Sequence, residues 1–327
     1  MIFIEKNSTN PYHNLAAEEV ILKNVAEDTV MLWINSPAVV LGKHQNAMAE
    51  VNHPFVREHD IPVLRRISGG GTVYHDAGNI NLSIVTTVEQ TDRMIDFVKF
   101  TAPISRFLAD KGLNTSYYGK TNLGVNGRKF SGNAAHIFKK KVLHHGTILF
   151  DSNLAMLEKC LHPTPAQITD KAVKSVRADI INLKELLPDI SSTGEFVSLF
   201  KAFLLDYFDI QAQRTTSDHE NQLIANLVKE KYSTPEWNYG YSPSYTYVKS
   251  GLWHHEEITL KLEVKKGIIV DLHLESKEIS PVIHQKIREL FIQIPHHPQA
   301  IKQKLNLYGS PETETTLSPD FLFNLLI

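Results

Sequence analysis

Arg65-Arg66-Ile67-Ser68-Gly69-Gly70-Gly71-Thr72-Val73-Tyr74-His75-Asp76 concentrates two guanidinium groups, a hydroxyl, three glycines, an imidazole and a carboxylate in one short stretch. Consecutive glycines have no Cβ atoms, so their main-chain N–H groups can approach an anion, and an adjacent arginine can grip phosphate or carboxylate oxygens in a fork. On one side Val63 to Arg66 reads as a strand. On the other, Ile80, Leu82 and Ile84 alternate with Asn81 and Ser83, the period of a half-buried strand running to Thr86. A strand, an anion-binding loop and a strand is the reading that organises the chain. The competing one, a surface turn with solvated charges, suits a bare glycine triplet but leaves the arginine pair and His75-Asp76 without a purpose. Neither Gly-x-x-x-x-Gly-Lys-Ser/Thr nor Gly-x-Gly-x-x-Gly is present, so a nucleotide would be held differently from the P-loop and dinucleotide folds.

Upstream, Asn10 is placed to cap a helix that starts at Pro11 and carries Leu15 through Leu22. Thr29 to Ile34 and Ala38 to Leu41 read as strands separated by a turn at Asn35-Ser36-Pro37. Downstream, Asn126-Gly127 is the strongest hairpin signal, because both residues tolerate the positive φ of a type I′ turn; it delivers Lys129 onto the returning strand. Lys141 to Phe150 supplies another strand, and Phe196, Leu199, Phe200, Phe203, Leu204 and Tyr207 mark one face of a helix.

Ser233 to Pro243 collects proline, glycine, serine and aromatic residues and reads as a domain boundary. Beyond it, two strands turn at Lys265-Lys266-Gly267, and a helix follows on Ile283, Ile287, Leu290, Phe291 and Ile294. The expectation is an α+β chain of two unequal domains, residues 1–243 and 244–327.

Composition bounds the function. The 327 residues are 42% hydrophobic and 21% charged, with a formal net charge of -2, so no global field would gather a nucleic acid. No run of about 18 apolar residues suggests a membrane span, and no secretory signal is visible. The single cysteine, Cys160, excludes an intramolecular disulfide and fits a cytoplasmic protein. It reads as a small buried helix residue rather than a nucleophile.

Lys129 lies in Gly127-Arg128-Lys129-Phe130-Ser131-Gly132, a weak signal by itself, since strand lysines usually face solvent. If the glycine loop is its partner, the ammonium could stand between an attacking carboxylate and an α-phosphate, lowering the barrier to an adenylation step. The pairs His144-His145, His254-His255 and His296-His297 are poor chelators, because neighbours on a strand face opposite ways. His144 or His145 is a pocket candidate, with a hydrogen-bonded core histidine as the plainer role.

Together these motifs resemble the lipoate-protein ligase A family. The likeness runs through Pro37-x-Val39-Val40-Leu41-Gly42-Lys43-His44-Gln45-Asn46, the glycine loop on to Gly78-Asn79, Gly127 to Gly132, His144-His145-Gly146-Thr147, Lys174-Ser175-Val176-Arg177 and Asn182-Leu183. It implies a biotin/lipoate-ligase-like catalytic domain of mixed β-sheets and packed helices, with a small α+β accessory domain. It also implies that lipoate and ATP, with Mg2+, form lipoyl-AMP, and that a lysine of an apo lipoyl domain then takes the acyl group. The acceptors would be lipoyl domains of 2-oxoacid dehydrogenase complexes or the glycine-cleavage H protein. By the same likeness, Arg66, Gly71, Thr72, Val73, Tyr74 and Lys129 would contact ATP, and Lys129, Arg66, Gly70, His75 and Asn79 would contact lipoate.

Two positions depart from the family. Thr121-Asn122 stands where Asn-Asp is common, so an amide at Asn122 replaces a carboxylate that could help hold Mg2+. Asp179 stands where relatives often carry a basic residue. The rival readings are an octanoyl or lipoyl transferase without ATP, for which Cys160 is a poorly placed nucleophile, and a non-catalytic lipoate-binding homologue.

Overall fold

The computed structural model describes residues 1–88, 94–163, 166–277, 279–308 and 317–327. Its largest sheet has six strands in the order β10 (Asn133–Phe138), β11 (Lys141–Leu149), β6 (Asn79–Thr87), β2 (Thr29–Ile34), β1 (Ile2–Ile4) and β13 (Ala212–Arg214). β1 runs parallel to both β2 and β13; the other pairs are antiparallel. A three-stranded sheet places β3 (Ala38–Leu41) between β4 (Val63–Arg65) and β5 (Val73–His75). A second three-stranded sheet runs β7 (Ser116–Tyr118), β8 (Asn122–Val125) and β9 (Arg128–Ser131). The glycine loop is therefore the connection from β4 to β5, and Lys129 sits on β9.

Short-range chemistry explains many of these elements. Asn10 Oδ1 accepts the N–H groups of Tyr12 and His13 at 2.9 and 3.2 Å, capping the helix α1 (Pro11–Asn24). Asn126 and Gly127 turn the β8–β9 hairpin with φ of 52° and 75°. The helix read from Phe196 to Tyr207 spans Thr193–Tyr207, and the Ser192 side chain caps it by accepting the Glu195 N–H.

Ile80, Leu82 and Ile84 of β6 enter a core with Phe107, Phe196 and Phe200 from the helices Phe97–Asp110 and Thr193–Tyr207. The half-buried reading of β6 needs correction. Asn81 and Ser83 on its other face are also buried, under α1, with Glu18 and Trp33 as neighbours rather than water. The polar alternation marks an internal polar layer.

A four-stranded antiparallel sheet runs β12 (Gln167–Asp170), β14 (Tyr245–Trp253), β15 (Glu256–Lys265) and β16 (Ile268–Glu275). The helices Pro281–Phe291, Pro298–Tyr308 and Pro319–Leu326 share one apolar cluster with it. β12 comes from far upstream of the Ser233–Pro243 stretch, yet it pairs with β14 from Gln167↔Val248 to Asp170↔Tyr245. Ser233 to Pro243 is itself largely helical turns, and it packs on β4 through Asn238 and Trp237. Among the described residues no helix is long and apolar enough to cross a membrane.

Candidate active site

The two neighbouring arginines have different roles. Arg65 is fully buried and points away from the loop. Its guanidinium donates to the carbonyls of Gly42, Lys43, Gln45, Trp237 and Asn238 and to Ser242 Oγ, at 2.7 to 3.2 Å. Arg65, to which the family likeness gave no ligand, is thus a clip between the turn after β3 and residues 237–242. Arg66 points the other way, donating from Nε to Ser68 Oγ (3.0 Å), from Nη1 to Val40 O (3.1 Å), and from Nη2 to Gly69 O (2.6 Å) and Gly71 O (2.8 Å). Three of the five guanidinium N–H groups are spent on the loop and a fourth on β3, which leaves one at Nη1.

The loop backbone requires glycine at two points. Gly70 has φ of +89°, and a Cβ there would lie 2.9 Å from Arg66 Nη2. Gly42, at the end of β3, lies so close that a Cβ would meet Gly70 O at 2.0 Å.

Two cavities open around this loop. The first, of 310 Å3, is lined by Leu15, Trp33 and Val40 together with Arg66, Gly70, Gly71, His75 and Asn122. The second, of 450 Å3, is lined by Tyr74 and Asn79, by Leu154 and Leu157, and by residues 175–180. Thr72, Val73 and Lys129 line both. All of the candidate residues therefore come together, although Asn79 faces the second cavity while Gly70 and His75 face the first. Lys129 is half-buried, and its ammonium has no hydrogen-bond or ion-pair partner among the described residues. Burial, and then the Arg66 charge, lower its pKa, so an anion that reached it would relieve both penalties.

His75 offers a donor to the first cavity, and its tautomer is set by its neighbours. Asn14 Nδ2 donates to the carbonyls of Ser8 and Ile34 and to Asn35 Oδ1, which leaves Asn35 Nδ2 to donate to His75 Nδ1 at 3.0 Å. The proton of the neutral ring is then on Nε2, which is buried and unpartnered. Burial, with Arg66 nearby, pushes His75 down to about 3.

Residues 173–180 form a strap along the two cavities, 173–176 lining the first and 175–180 the second. Ser175 Oγ accepts from Thr72 N (2.9 Å) and Gln45 Nε2 (3.0 Å), and donates to the buried Glu50. Main-chain bonds from Lys129 N to Asp179 O (2.7 Å) and from Ile181 N to Lys129 O (3.0 Å) fix the lysine's strand to the strap. Glu50, Gln45 and Glu18 carry out positioning that sequence reading passed over. The available signal for Glu18 was a carboxylate four residues after Asn14 on a helix whose neighbours are almost all apolar.

Asn122 Oδ1 accepts the Asn133 N–H at 3.2 Å, and the described residues contain no group of three His, Cys, Asp or Glu side chains able to hold a metal. The site thus presents no protein cage for magnesium. Cys160 is fully buried, does not line either cavity, and burial pushes its thiol up to about 11, the opposite of what a nucleophile needs.

Burial also lowers His53, His144 and His296, each to about 4. With His75, these four rings are neutral in the folded chain but take up protons once unfolded, around the ordinary value of 6.5. Their contribution is intact above that value and is lost as pH falls toward 4. Urea unfolding should therefore show a lower midpoint at pH 5.5 than at pH 7.5, with a slope in pH approaching that of about four protons; an unchanged midpoint would contradict neutral burial.

Two cavities around a glycine loop, sharing one unpaired ammonium, make this the candidate active site of an enzyme. The chain belongs to the lipoyl protein ligase A/B catalytic domain family, whose model matches residues 10–204. Among curated relatives, lipoate–protein ligase 1 of Staphylococcus aureus is 37% identical over 272 residues, covering 82% of each chain. Lipoate-protein ligase LplJ of Bacillus subtilis is 36% identical over 278 residues, covering 83% of each. Among solved structures, lipoate-protein ligase A bound with ATP superposes with a TM-score of 0.63 at 24% identity, over 73% of this chain and 98% of its own. A bi-partite lipoate protein ligase from Thermoplasma acidophilum, studied with its E2 lipoyl domain, gives 0.62 at 23% identity, over 73% and 96%.

Proposed function

We propose that this lipoate–protein ligase seats lipoate in the first cavity and ATP in the second, with Lys129 between the carboxylate and the α-phosphate. The observation that carries the assignment is Lys129, an unpaired and half-buried ammonium shared by the two cavities. A lipoate carboxylate oxygen attacks the α-phosphorus, forming the acyl–phosphate bond as pyrophosphate leaves. Lys129 offsets the repulsion between the two anions, and the remaining Arg66 N–H and the His75 Nε2–H supply donors on the acyl side. In the second half-reaction the amine of an acceptor lysine attacks the acyl carbon, AMP leaves with the bonding pair, and the amine loses its proton to solvent.

The ATP-bound relative of similar fold supports ATP as the nucleotide, and the relative studied with its E2 lipoyl domain supports a lipoyl domain as acceptor. The H protein is a second acceptor within the same proposal. Magnesium would enter with ATP, held by phosphate oxygens and water, with no protein carboxylate assigned. Residues 1–243 would form the catalytic unit and 244–327 the accessory unit, with β12 lent by the first to the sheet of the second.

The test is lipoate-dependent exchange of labelled pyrophosphate into ATP. Exchange in the intact protein, retained in Cys160→Ser, is the expected result. No exchange, with ATP-independent acyl transfer that fails in Cys160→Ser, would instead establish a thioester transferase.

A further inference from the structure

Beneath the glycine loop lies a buried line of side chains that the adenylation chemistry does not itself consume. His145 Nε2 is 2.5 Å from Ser68 Oγ, and His145 Nδ1 is 2.9 and 3.1 Å from the two carboxylate oxygens of Glu18. Glu18 also accepts from Ser83 Oγ at 2.5 Å, and Ser83 Oγ accepts from Trp33 Nε1 at 2.8 Å. A serine, a histidine and a carboxylate in line generate a nucleophile in hydrolases. Here Ser68 is 1% exposed, and its oxygen is capped by Arg66 Nε at 3.0 Å, so no substrate atom can reach it.

The donors and acceptors fix where each proton lies. The Trp33 indole can only donate, so Ser83 must give its own proton to Glu18. Arg66 can only donate, so Ser68 Oγ accepts from it and gives its proton to His145 Nε2, the one acceptor it has among the described residues. His145 Nε2 is therefore bare, and Nδ1 carries the ring proton toward Glu18. Two chains of donors, one starting at Trp33 and the other at Arg66, converge on a single buried carboxylate.

We propose that Glu18, His145 and Ser68 form a positioning relay for Arg66, setting the plane of its guanidinium and thereby the carbonyls of Gly69 and Gly71 and the one N–H left for the acid. The relay is needed because Arg66 and Lys129 are both cationic at the first cavity, while the carboxylate that balances them, Glu18, lies behind the wall. Connected through imidazole and hydroxyl, that carboxylate holds the guanidinium without occupying the seat meant for the substrate carboxylate. A carboxylate in direct contact with Arg66 would compete for that seat.

Only the kinetic arm of the test rests on the ligase reading. In pyrophosphate exchange, Ser68→Ala and Glu18→Gln should each raise the KM for lipoate on the order of tenfold while kcat stays within about threefold. The double variant should be no worse than the weaker single variant, because both changes break one chain. Loss of kcat in Ser68→Ala at unchanged KM would make Ser68 a nucleophile and overturn the relay, as would additive losses, which belong to two unconnected structural contacts. The second arm needs no activity. In the unmodified protein, 15N spectra of the histidine rings, with His145 assigned from a His145→Gln sample, should show its proton on Nδ1 and Nε2 bare. A proton on Nε2 refutes the relay whether or not the protein is a ligase, and an absence of exchange with the Nδ1 proton in place refutes only the ligase reading.

Discussion

Lys129→Ala should lower lipoate-dependent pyrophosphate exchange by about 10^3-fold, with the fold and thermal stability preserved. The size follows from the lack of a substitute. Arg66 has spent four of its five N–H groups on Ser68, Val40, Gly69 and Gly71, and Arg65 faces the opposite way. Among the described residues no other cation lines both cavities; Lys174 lines only the first and Arg177 only the second. Stability should hold because the ammonium is a burden on the empty site, as its lowered pKa indicates, and no pairing partner among the described residues is orphaned by its removal. Exchange that survives at full rate would remove the lysine from the mechanism while leaving the ligase assignment in place.

Arg65→Ala should act on the fold instead, costing about 3–5 kcal/mol in urea unfolding. The substitution removes the donors to five main-chain carbonyls and to Ser242 Oγ, and it separates the 42–45 turn from residues 237–242. The main chain of Arg65 is engaged too, its N–H donating to Asn238 Oδ1 at 2.9 Å and its carbonyl accepting from Trp237 Nε1 at 2.7 Å, so β4 depends on this segment as its outer neighbour. Normal stability combined with a defect confined to lipoate or ATP binding would make Arg65 an anion ligand instead.

The pair Arg65-Arg66 shows where sequence reading reaches its limit. Successive residues at the end of a strand face opposite ways, so two adjacent arginines cannot both serve one cavity. The pattern does not say which of them does, because that depends on the turn at 42–45 and the segment at 237–242, both distant in the chain. β6 poses the same difficulty. The alternation of Ile80, Leu82 and Ile84 with Asn81 and Ser83 gave the strand and the correct core face, but a polar face bonded to Glu18 and Trp33 has the same pattern as one exposed to water. β12 was invisible for a related reason, since four residues carry little periodicity and the pairing partner lies beyond residue 244.

The sequence by itself determined the features whose physics is local: the Asn10 cap, the bounds of β2 and β3, and the Asn126-Gly127 turn. Through its likeness to a family, it also named the residues that meet around the glycine loop. Only the tertiary structure decided that Arg65 is spent on the 42–45 turn and residues 237–242, that Lys129 lines two cavities, and that Glu18 reaches Arg66 through His145 and Ser68. Turns and caps are set by the dihedral preferences and hydrogen bonds of a few neighbouring residues. The direction of a buried charge is set by whichever partner the fold brings within about 3 Å, and for Glu18 and His145 that partner is 127 residues away.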